Sequence, residues 1–363
     1  MAQSGSAHPK PDGISPQQRQ RLQKAKLSAL VRDHSGTESI ATESIATESI
    51  EVRGALTGLM FPGGTAYLLT DFGTPGAVAG AMSWALKAGS ESMVMFVDFD
   101  APLAARFARY FSRSSGSGSG MLATEVRAVQ GAGSIAIEVE ARTAEALSEP
   151  APAGLLAALG DQGLEVVHEH GITRGEVLGL EVARLVTWPA ETGGDGQLHL
   201  EVGVGRFDRD AVWAVNDGND LTGALADTVA MVRQNRYPGA PPHPMQRLAR
   251  ERWLRAMVLE NPEVIGVSTL QAVGMTIEAA GMKDAHPAGA FGLDLHGEQV
   301  VVVTSVGFDL AAVPLAADLR DALAPSARLL LAVPSVDLHP MQQQLASMLD
   351  PIAEIVAVDP PWT

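Results

Sequence analysis

QVVVVTSV, residues 299–306, is an apolar run of strand length, and the regular pattern around it decides the fold. It is followed by a predicted helix over Ala311–Leu323 and by a second apolar run, Arg328–Val333. Another helix over Met341–Leu349 and a strand over Ile355–Val358 complete the alternation. Because the apolar runs are continuous, they are typical of parallel strands that helices cover on both faces. The C-terminal third is therefore predicted to be an α/β lobe.

The same alternation occurs near the N-terminus, which predicts a second α/β lobe with parallel strands and right-handed crossovers. Its predicted strands are Ala66–Thr70 and Met93–Val97, with Val126 and Ile135–Val139 as further candidates, and its helices are Gly76–Lys87 and Pro102–Phe111.

The middle of the chain has a different pattern. Leu164–Val167, Glu176–Trp188 and Gln197–Val204 read as strands separated by turn residues, which predicts an antiparallel meander. Helices are predicted over Leu221–Arg233 and Pro244–Leu259. The fold class is therefore α/β, with an α+β middle: two α/β lobes with parallel-type strands bracket an antiparallel β-meander, behind a disordered N-terminal tail.

The predicted boundaries follow breaks in composition. Residues 1–55 form a flexible tail that contains the repeat TESIATESIATESI (37–50), whose period of five fits neither a helix nor a strand. Within it, Gln17–Asp33 is basic and is expected to be a frayed, solvated helix, or a contact for an acidic partner. The other segments are an N-terminal lobe (56–150) with a Ser/Gly loop (112–120), a meander with an Arg-rich helix (151–262) and a C-terminal lobe (263–363).

Composition excludes several kinds of site. The 363 residues are 46% hydrophobic and include no cysteine, so disulfides, thiolate nucleophiles and cysteine-ligated metals are excluded. The formal net charge of −16 argues against non-specific binding of nucleic acid or of anionic membranes. No apolar segment reaches the roughly 20 residues of a membrane helix, and the first residues lack a signal-peptide core. A cytoplasmic protein is expected.

An arginine cluster stands out in this acidic chain. Six arginines lie between Arg233 and Arg255, with only Glu251 as an opposing acid. A helix beginning near Pro244 would place His243 at its positive end, where anions bind readily. The predicted anion-binding residues are His243, Arg247, Arg250, Arg252 and Arg255, and the ligand would be an acidic protein or a phosphorylated small molecule. The alternative is that these arginines pair with the protein's own acids.

The meander suggests a second chemistry. Glu169, Glu176, Glu181, Glu201 and Asp208 lie close together in sequence, beside Arg174, Arg184 and Arg206. Glu181 and Glu201 could hold Mg²⁺ or Mn²⁺ in a nuclease or phosphoesterase, since an acid on an apolar strand face is costly unless it is paired or binds a metal. The alternative is structural: if residues 189–196 form the turn, Arg184 lies opposite Glu201 as an ordinary cross-strand pair.

Three functions remain open from these residues. The favoured one is a non-catalytic binding or regulatory protein that uses the Arg-rich helix and needs no cofactor. The second is the metal-dependent nuclease or phosphoesterase. The third is a structural subunit of an assembly, which would need an exposed apolar patch.

Three segments carry a resemblance. GLEVAR (179–184), LEVGVG (200–205) and HPMQRLARERWLR (243–255) are similar to segments of a group of uncharacterised conserved proteins from high-GC actinobacteria. The similarity runs from about Leu56 to the C-terminus. It implies a coherent family and brings no activity with it.

Overall fold

The structure is a computed structural model that describes residues 15–35, 50–61, 64–111, 122–139, 153–188, 194–216, 221–279, 281 and 284–362. These residues form a mixed α/β protein with three sheets that contain parallel and antiparallel strands, as predicted. The chain divides into two compact units, Met1–Arg142 with Gln344–Ile352, and Thr143–Gln343 with Ala353–Thr363. The predicted disorder at 1–14, residues 37–49 of the repeat and the Ser/Gly loop at 112–120 lie outside the described residues.

The first unit is built on a sheet whose central strands are parallel. The order is β1-β2-β3-β4-β5-β6, in which β3, β4 and β5 are parallel to one another and the outer pairs are antiparallel. Thr74 caps the first crossover helix by accepting a hydrogen bond from the backbone N–H of Ala77. The elements are α1 (Pro16–Ser35), β1 (Ile50–Arg53), β2 (Leu56–Leu59), β3 (Thr65–Phe72), α2 (Pro75–Lys87), β4 (Ser92–Phe99), α3 (Ala101–Ala108) with a 3-10 turn (Arg109–Phe111), β5 (Ala123–Gln130) and β6 (Gly133–Ala136).

Helix α1 differs from the solvated helix that the sequence predicts. Leu27, Leu30 and Val31 are fully or almost fully buried, in a core that also contains Ile50 of β1. Their i, i+3, i+4 spacing gives the helix one apolar face, although Leu22 remains 59% exposed. Residues 16–35 and 50–53, which were assigned to the flexible tail, are therefore part of the folded first unit.

The antiparallel meander is confirmed, with one strand more than predicted. Its order is β10-β9-β8-β7, and every neighbouring pair is antiparallel. The predicted strand Glu176–Trp188 is wrong, because Leu178 and Gly179 have φ values of 49° and 72° and form a hairpin turn. The elements are α4 (Ala153–Asp161), β7 (Glu165–Glu169), β8 (Ile172–Val177), β9 (Leu180–Thr187), β10 (Leu198–Val202), α5 (Arg206–Asn216) and α6 (Leu221–Asn235).

The predicted helix Pro244–Leu259 is also divided. A 3-10 turn covers Pro244–Arg247, and α7 covers Arg250–Glu260. Between them Ala249 has a φ of 41°, a left-handed conformation that interrupts the helical path. The buried guanidinium of Arg236 holds this break, since it donates hydrogen bonds to the carbonyls of Met245, Leu248 and Ala249 at 2.7–2.9 Å.

The third sheet has the order β11-β12-β13-β14-β15. Strands β13, β14 and β15 are parallel, as predicted, and the antiparallel strands β11 and β12 were not anticipated. None of the described helices is long and apolar enough to cross a bilayer. The elements are a 3-10 turn (Pro262–Ile265), β11 (Val267–Val273), β12 (Ala288–Asp294), β13 (Gln299–Thr304), α8 (Ala312–Leu323), β14 (Arg328–Pro334), a 3-10 turn (Ser335–Asp337), α9 (Pro340–Ser347) and β15 (Ala353–Val358).

Candidate functional site

A cavity of about 360 Å³ lies in the second unit, and it is lined mainly by charged side chains. We call it the arginine pocket. Strands β8 and β9, helices α5 and α7 and the segment before β12 supply its walls. Its lining residues are Arg174, Gly179, Glu181, Arg184, Gly205, Arg206, Arg209, Ala249, Glu251, Arg252, Ala279, Gly281, Asp284 and His286.

The β8–β9 hairpin places its turn directly against α7. A Cβ atom on Gly179 would lie 2.2 Å from the backbone carbonyl carbon of Arg252, so only glycine fits there. This contact brings the arginines of the hairpin and those of α7 to the same cavity. Ala249 lines the cavity just before the first residue of α7 and provides no side-chain acceptor for the backbone N–H groups of the first turn.

Arginines and glutamates alternate around this pocket in one continuous series, which we call the ion-pair chain. It begins with Arg184, whose Nη2 lies 2.7 Å from Oε2 of Glu201. The same Oε2 lies 3.5 Å from Nε of Arg209, and Nη1 of Arg209 lies 3.0 Å from Oε1 of Glu181. Glu181 then accepts a 2.7 Å hydrogen bond from Nη1 of Arg174. Strands β8, β9 and β10 are thereby joined to α5.

The second half of the ion-pair chain joins the meander to α7. Nε of Arg174 lies 3.6 Å from Oε2 of Glu169, which also accepts a 2.7 Å hydrogen bond from Nη2 of Arg252. Arg252 and Arg255 donate to the two oxygens of Glu176, both at 2.6 Å. Glu176 and Arg255 are buried, as is Glu169. Cross-linked carboxylates and guanidinium groups of this kind keep buried charges compensated.

The charges of the ion-pair chain balance only through an exposed acid. Five guanidinium groups alternate with four carboxylates, and Glu278, whose Oε1 lies 3.5 Å from Nη2 of Arg174, supplies a fifth. Burial opposes the ionisation of Glu169, but Arg252 and Arg174 outweigh it and lower its pKa. Burial lowers the pKa of Arg209, Glu181 partly offsets that effect, and Arg184 lowers the pKa further. Arg209 is therefore a cation that an added anion would stabilise.

A second part of the pocket is acidic. Glu251 is only 6% exposed, lines the cavity and makes no ion pair with any residue in the described ranges. Burial raises its pKa to about 7; its own backbone N–H lowers it in part, and Asp309 raises it further. The ring nitrogen Nε2 of His286, in the same cavity, is buried without a hydrogen-bond partner, and burial lowers the pKa of this histidine. The exposed carboxylate of Asp284 also lines the pocket.

The structure separates the five residues of the predicted Arg-rich anion site. Arg252 lines the pocket, and Arg255 ends the ion-pair chain. Arg247 is exposed on the 3-10 turn, and Arg250 donates to the carbonyl of Gln246 and lies over the Trp362 ring. The ring of His243 accepts a hydrogen bond from the Met245 N–H at 3.4 Å. The alternative interpretation, that the arginines pair with the protein's own acids, therefore applies to Arg252 and Arg255.

The predicted metal-binding carboxylates, Glu181 and Glu201, lie close together but face cations. Residue Glu201 is paired with Arg184 in the strand register, as the structural alternative predicted. Arg209 bridges the two carboxylates, and Trp188 donates to Oε1 of Glu201 at 3.2 Å. In the part of the chain that the structure describes, no three acidic or histidine side chains form a group that could hold a metal ion.

Several pocket residues were not among the predicted site residues. Arg209 lies on α5, a helix that the periodicity did not indicate, and Glu251 was counted only as an opposing acid. The spacing of His286 to the other histidines in the sequence fits no metal-ligand motif. The sequence does contain one signal for this site. Acids are concentrated in the meander and arginines from Arg233 onward, and such opposite charges are expected to pair.

No protein-family model matches the chain, and neither a curated protein nor a solved structure matches it. The predicted relationship to an actinobacterial group stays a prediction. The chemistry of the arginine pocket has to be inferred from its own side chains.

Proposed function

We propose that this protein is a non-catalytic binding protein whose arginine pocket holds a small anionic ligand. The observation that carries this function is the excess of arginine at the cavity. Five arginines line it, against three acids, in a chain whose net charge is −16.

The proposed anion site lies in the cavity, whereas the sequence predicts one on the Arg-rich segment. Only Arg252 of the predicted residues belongs to both. Of the other cavity arginines, Arg174 on β8, Arg184 on β9 and Arg209 on α5 are held by the ion-pair chain before any ligand arrives, whereas Arg206 is solvated. Guanidinium groups that are already oriented lose little conformational freedom on binding, which favours a carboxylate or phosphate ligand.

The size and charge of the cavity support a small molecule. Its volume of about 360 Å³ lies near the lower end of the range of roughly 300–1,000 Å³ for small-molecule sites. The guanidinium of Arg206, 84% accessible, lies at the rim, and its ion pair among the described residues is a 3.8 Å contact to Asp210. An anion that enters would meet this cation first and would be held deeper by Arg209 and Arg174.

The test compares two exposed arginines. Isothermal titration calorimetry of the full chain with inorganic phosphate and with citrate should detect binding that weakens as ionic strength rises. Arg206→Ala should weaken it about 3-fold or more, because the substitution removes a rim cation without breaking the ion-pair chain. Arg247→Ala is the matched control, since Arg247 is also exposed but does not line the pocket.

Either of two results would contradict the proposal. One is the absence of heat with every anion at low ionic strength. The other is a loss of affinity in Arg247→Ala with none in Arg206→Ala, which would return the site to the surface of the Arg-rich segment.

The metal-dependent nuclease or phosphoesterase is not favoured by any single contact. All four oxygens of Glu181 and Glu201 accept hydrogen bonds from Arg174, Arg209, Arg184 or Trp188, so a metal ion would have to displace these donors.

A further inference from the structure

Glu251 is the least compensated buried charge of the arginine pocket. The four glutamates of the ion-pair chain each contact two guanidinium groups, whereas Glu251 contacts none in the described residues and is only 6% exposed. A buried carboxylate without an ion-pair partner is costly, so such a group in a cavity points to a ligand that supplies the missing cation.

The surroundings of Glu251 also differ from those of the arginines. The charges that act on it are Asp309, Arg250 and Arg236, and none of these three lines the pocket. The charges that act on Arg209 are Glu181, Arg184, Glu201 and Arg174, which belong to the ion-pair chain. Glu251 thus lines the same cavity as the arginines without being one of their ion-pair partners.

His286 adds a second unused group to the same cavity. Its ring interacts with the backbone of Ile277, and its Nε2 is buried without a hydrogen-bond partner. Burial lowers the pKa of this histidine and so favours the neutral ring, in which one nitrogen can accept a hydrogen bond. A carboxylate and a neutral imidazole in one cavity both favour a ligand group that donates hydrogens.

We infer that the ligand is a zwitterion of the amino-acid type, with its anionic group at Arg174, Arg206 and Arg209 and its protonated amine at Glu251. This inference rests on the proposed anion-binding function and names the class of ligand. An ammonium group donates three hydrogen bonds and brings the positive charge that Glu251 lacks, whereas a hydroxyl group brings only a hydrogen bond.

The experiment uses pairs of ligands that differ only in the amine. Calorimetric titrations of the full chain would compare L-glutamate with glutarate, and O-phosphoethanolamine with ethyl phosphate. In each pair the amine-bearing compound should bind about 10-fold more tightly. In Glu251→Gln this ratio should fall to about 1, while Glu260→Gln should keep it, because Glu260 is exposed at the end of α7 and does not line the pocket.

The outcomes separate the two proposals. If both members of each pair bind equally, the zwitterion inference is overturned and the anion site stands. Equal binding of L-glutamate and 2-hydroxyglutarate also overturns it, since a hydroxyl would then suffice. If no compound of either kind binds, the anion site itself is wrong. The affinity ratios measured on the wild-type protein test the zwitterion inference even if Glu251→Gln does not fold.

Discussion

At the scale of single residues, arginines that look equivalent in the sequence have three different environments in the structure. Arg252 and Arg255 compensate buried glutamates, whereas Arg206 remains solvated and Arg236 holds backbone carbonyls. Burial lowers the pKa of Arg236 to about 9, which leaves it charged at neutral pH. Sequence composition reveals the excess of arginine, but it does not show which acid each arginine will meet, because the partners lie 76 to 83 residues apart.

The raised pKa of Glu251 predicts a pH dependence. Its value changes from about 4.5 to about 7 on folding, so the folded state holds an extra proton between these pH values. The free energy of unfolding must therefore fall as pH rises from 4.5 to 7, and the loss persists above pH 7.

The variant Glu251→Gln should remove this loss, since glutamine carries no charge at any pH. The difference in free energy of unfolding, variant minus wild type, should be about 1–3 kcal/mol larger at pH 8 than at pH 4.5, so the variant gains relative stability as pH rises. Denaturant titrations at the two pH values measure the difference. Asp309, Arg250 and Arg236 are present in both proteins, so an identical pH profile would show that Glu251 ionises normally.

At the scale of elements, periodicity predicts strands and helices well where apolar runs are continuous. Strands β3, β4, β13, β14 and β15 all occur within a few residues of their predicted bounds. The errors occur where the apolar pattern of the sequence continues but the backbone turns at a single residue. Leu178 and Ala249 both have positive φ, although neither is a residue that favours it, so the β8–β9 turn and the start of α7 could not be predicted.

The tip of the β8–β9 hairpin provides a test at this scale. Gly179→Ala should lower the free energy of unfolding by about 3 kcal/mol or more, because it adds a backbone clash to an unfavourable φ. Gly196→Ala is the matched control: it has the same φ of 72° but nothing within 4 Å of the added Cβ, so it should cost about 1 kcal/mol. Equal denaturation midpoints for the two variants would show that the hairpin tip does not press on α7.

At the scale of the whole molecule, the predicted order of two lobes around a meander is confirmed. The predicted segment boundaries near 150 and 262 fall between sheets, although both the meander and the third sheet belong to one compact unit. The candidate site was less predictable than the fold, since its side chains come from four secondary-structure elements and from the segment before β12. Such convergence depends on tertiary contacts that no local pattern encodes.

Helix α1 offers a test of how much of the chain belongs to the first unit. Leu30→Ala should destabilise that unit by about 2–4 kcal/mol, because its side chain is almost fully buried. Leu22→Ala should change stability by less than about 0.5 kcal/mol, since Leu22 is mostly exposed. Hydrogen–deuterium exchange of β2 and β3 would report the effect, and unchanged exchange in Leu30→Ala would mean that the helix is dispensable.

The contacts of Arg236 have a consequence for how this region tolerates changes in length. Its guanidinium reaches across the proline-rich connection to three carbonyls at its far side, so it closes residues 236–249 into a ring without a covalent bond. The ends of such a ring are fixed, and the entropic cost of closing a surface loop rises only slowly as the loop becomes longer. The position of α7, and with it one wall of the arginine pocket, therefore depends on one buried cation more than on the path of the intervening residues. Insertions near Pro238 should therefore disturb the start of α7 less than loss of the Arg236 side chain, while Arg252 and Arg255 still hold α7 to Glu169 and Glu176.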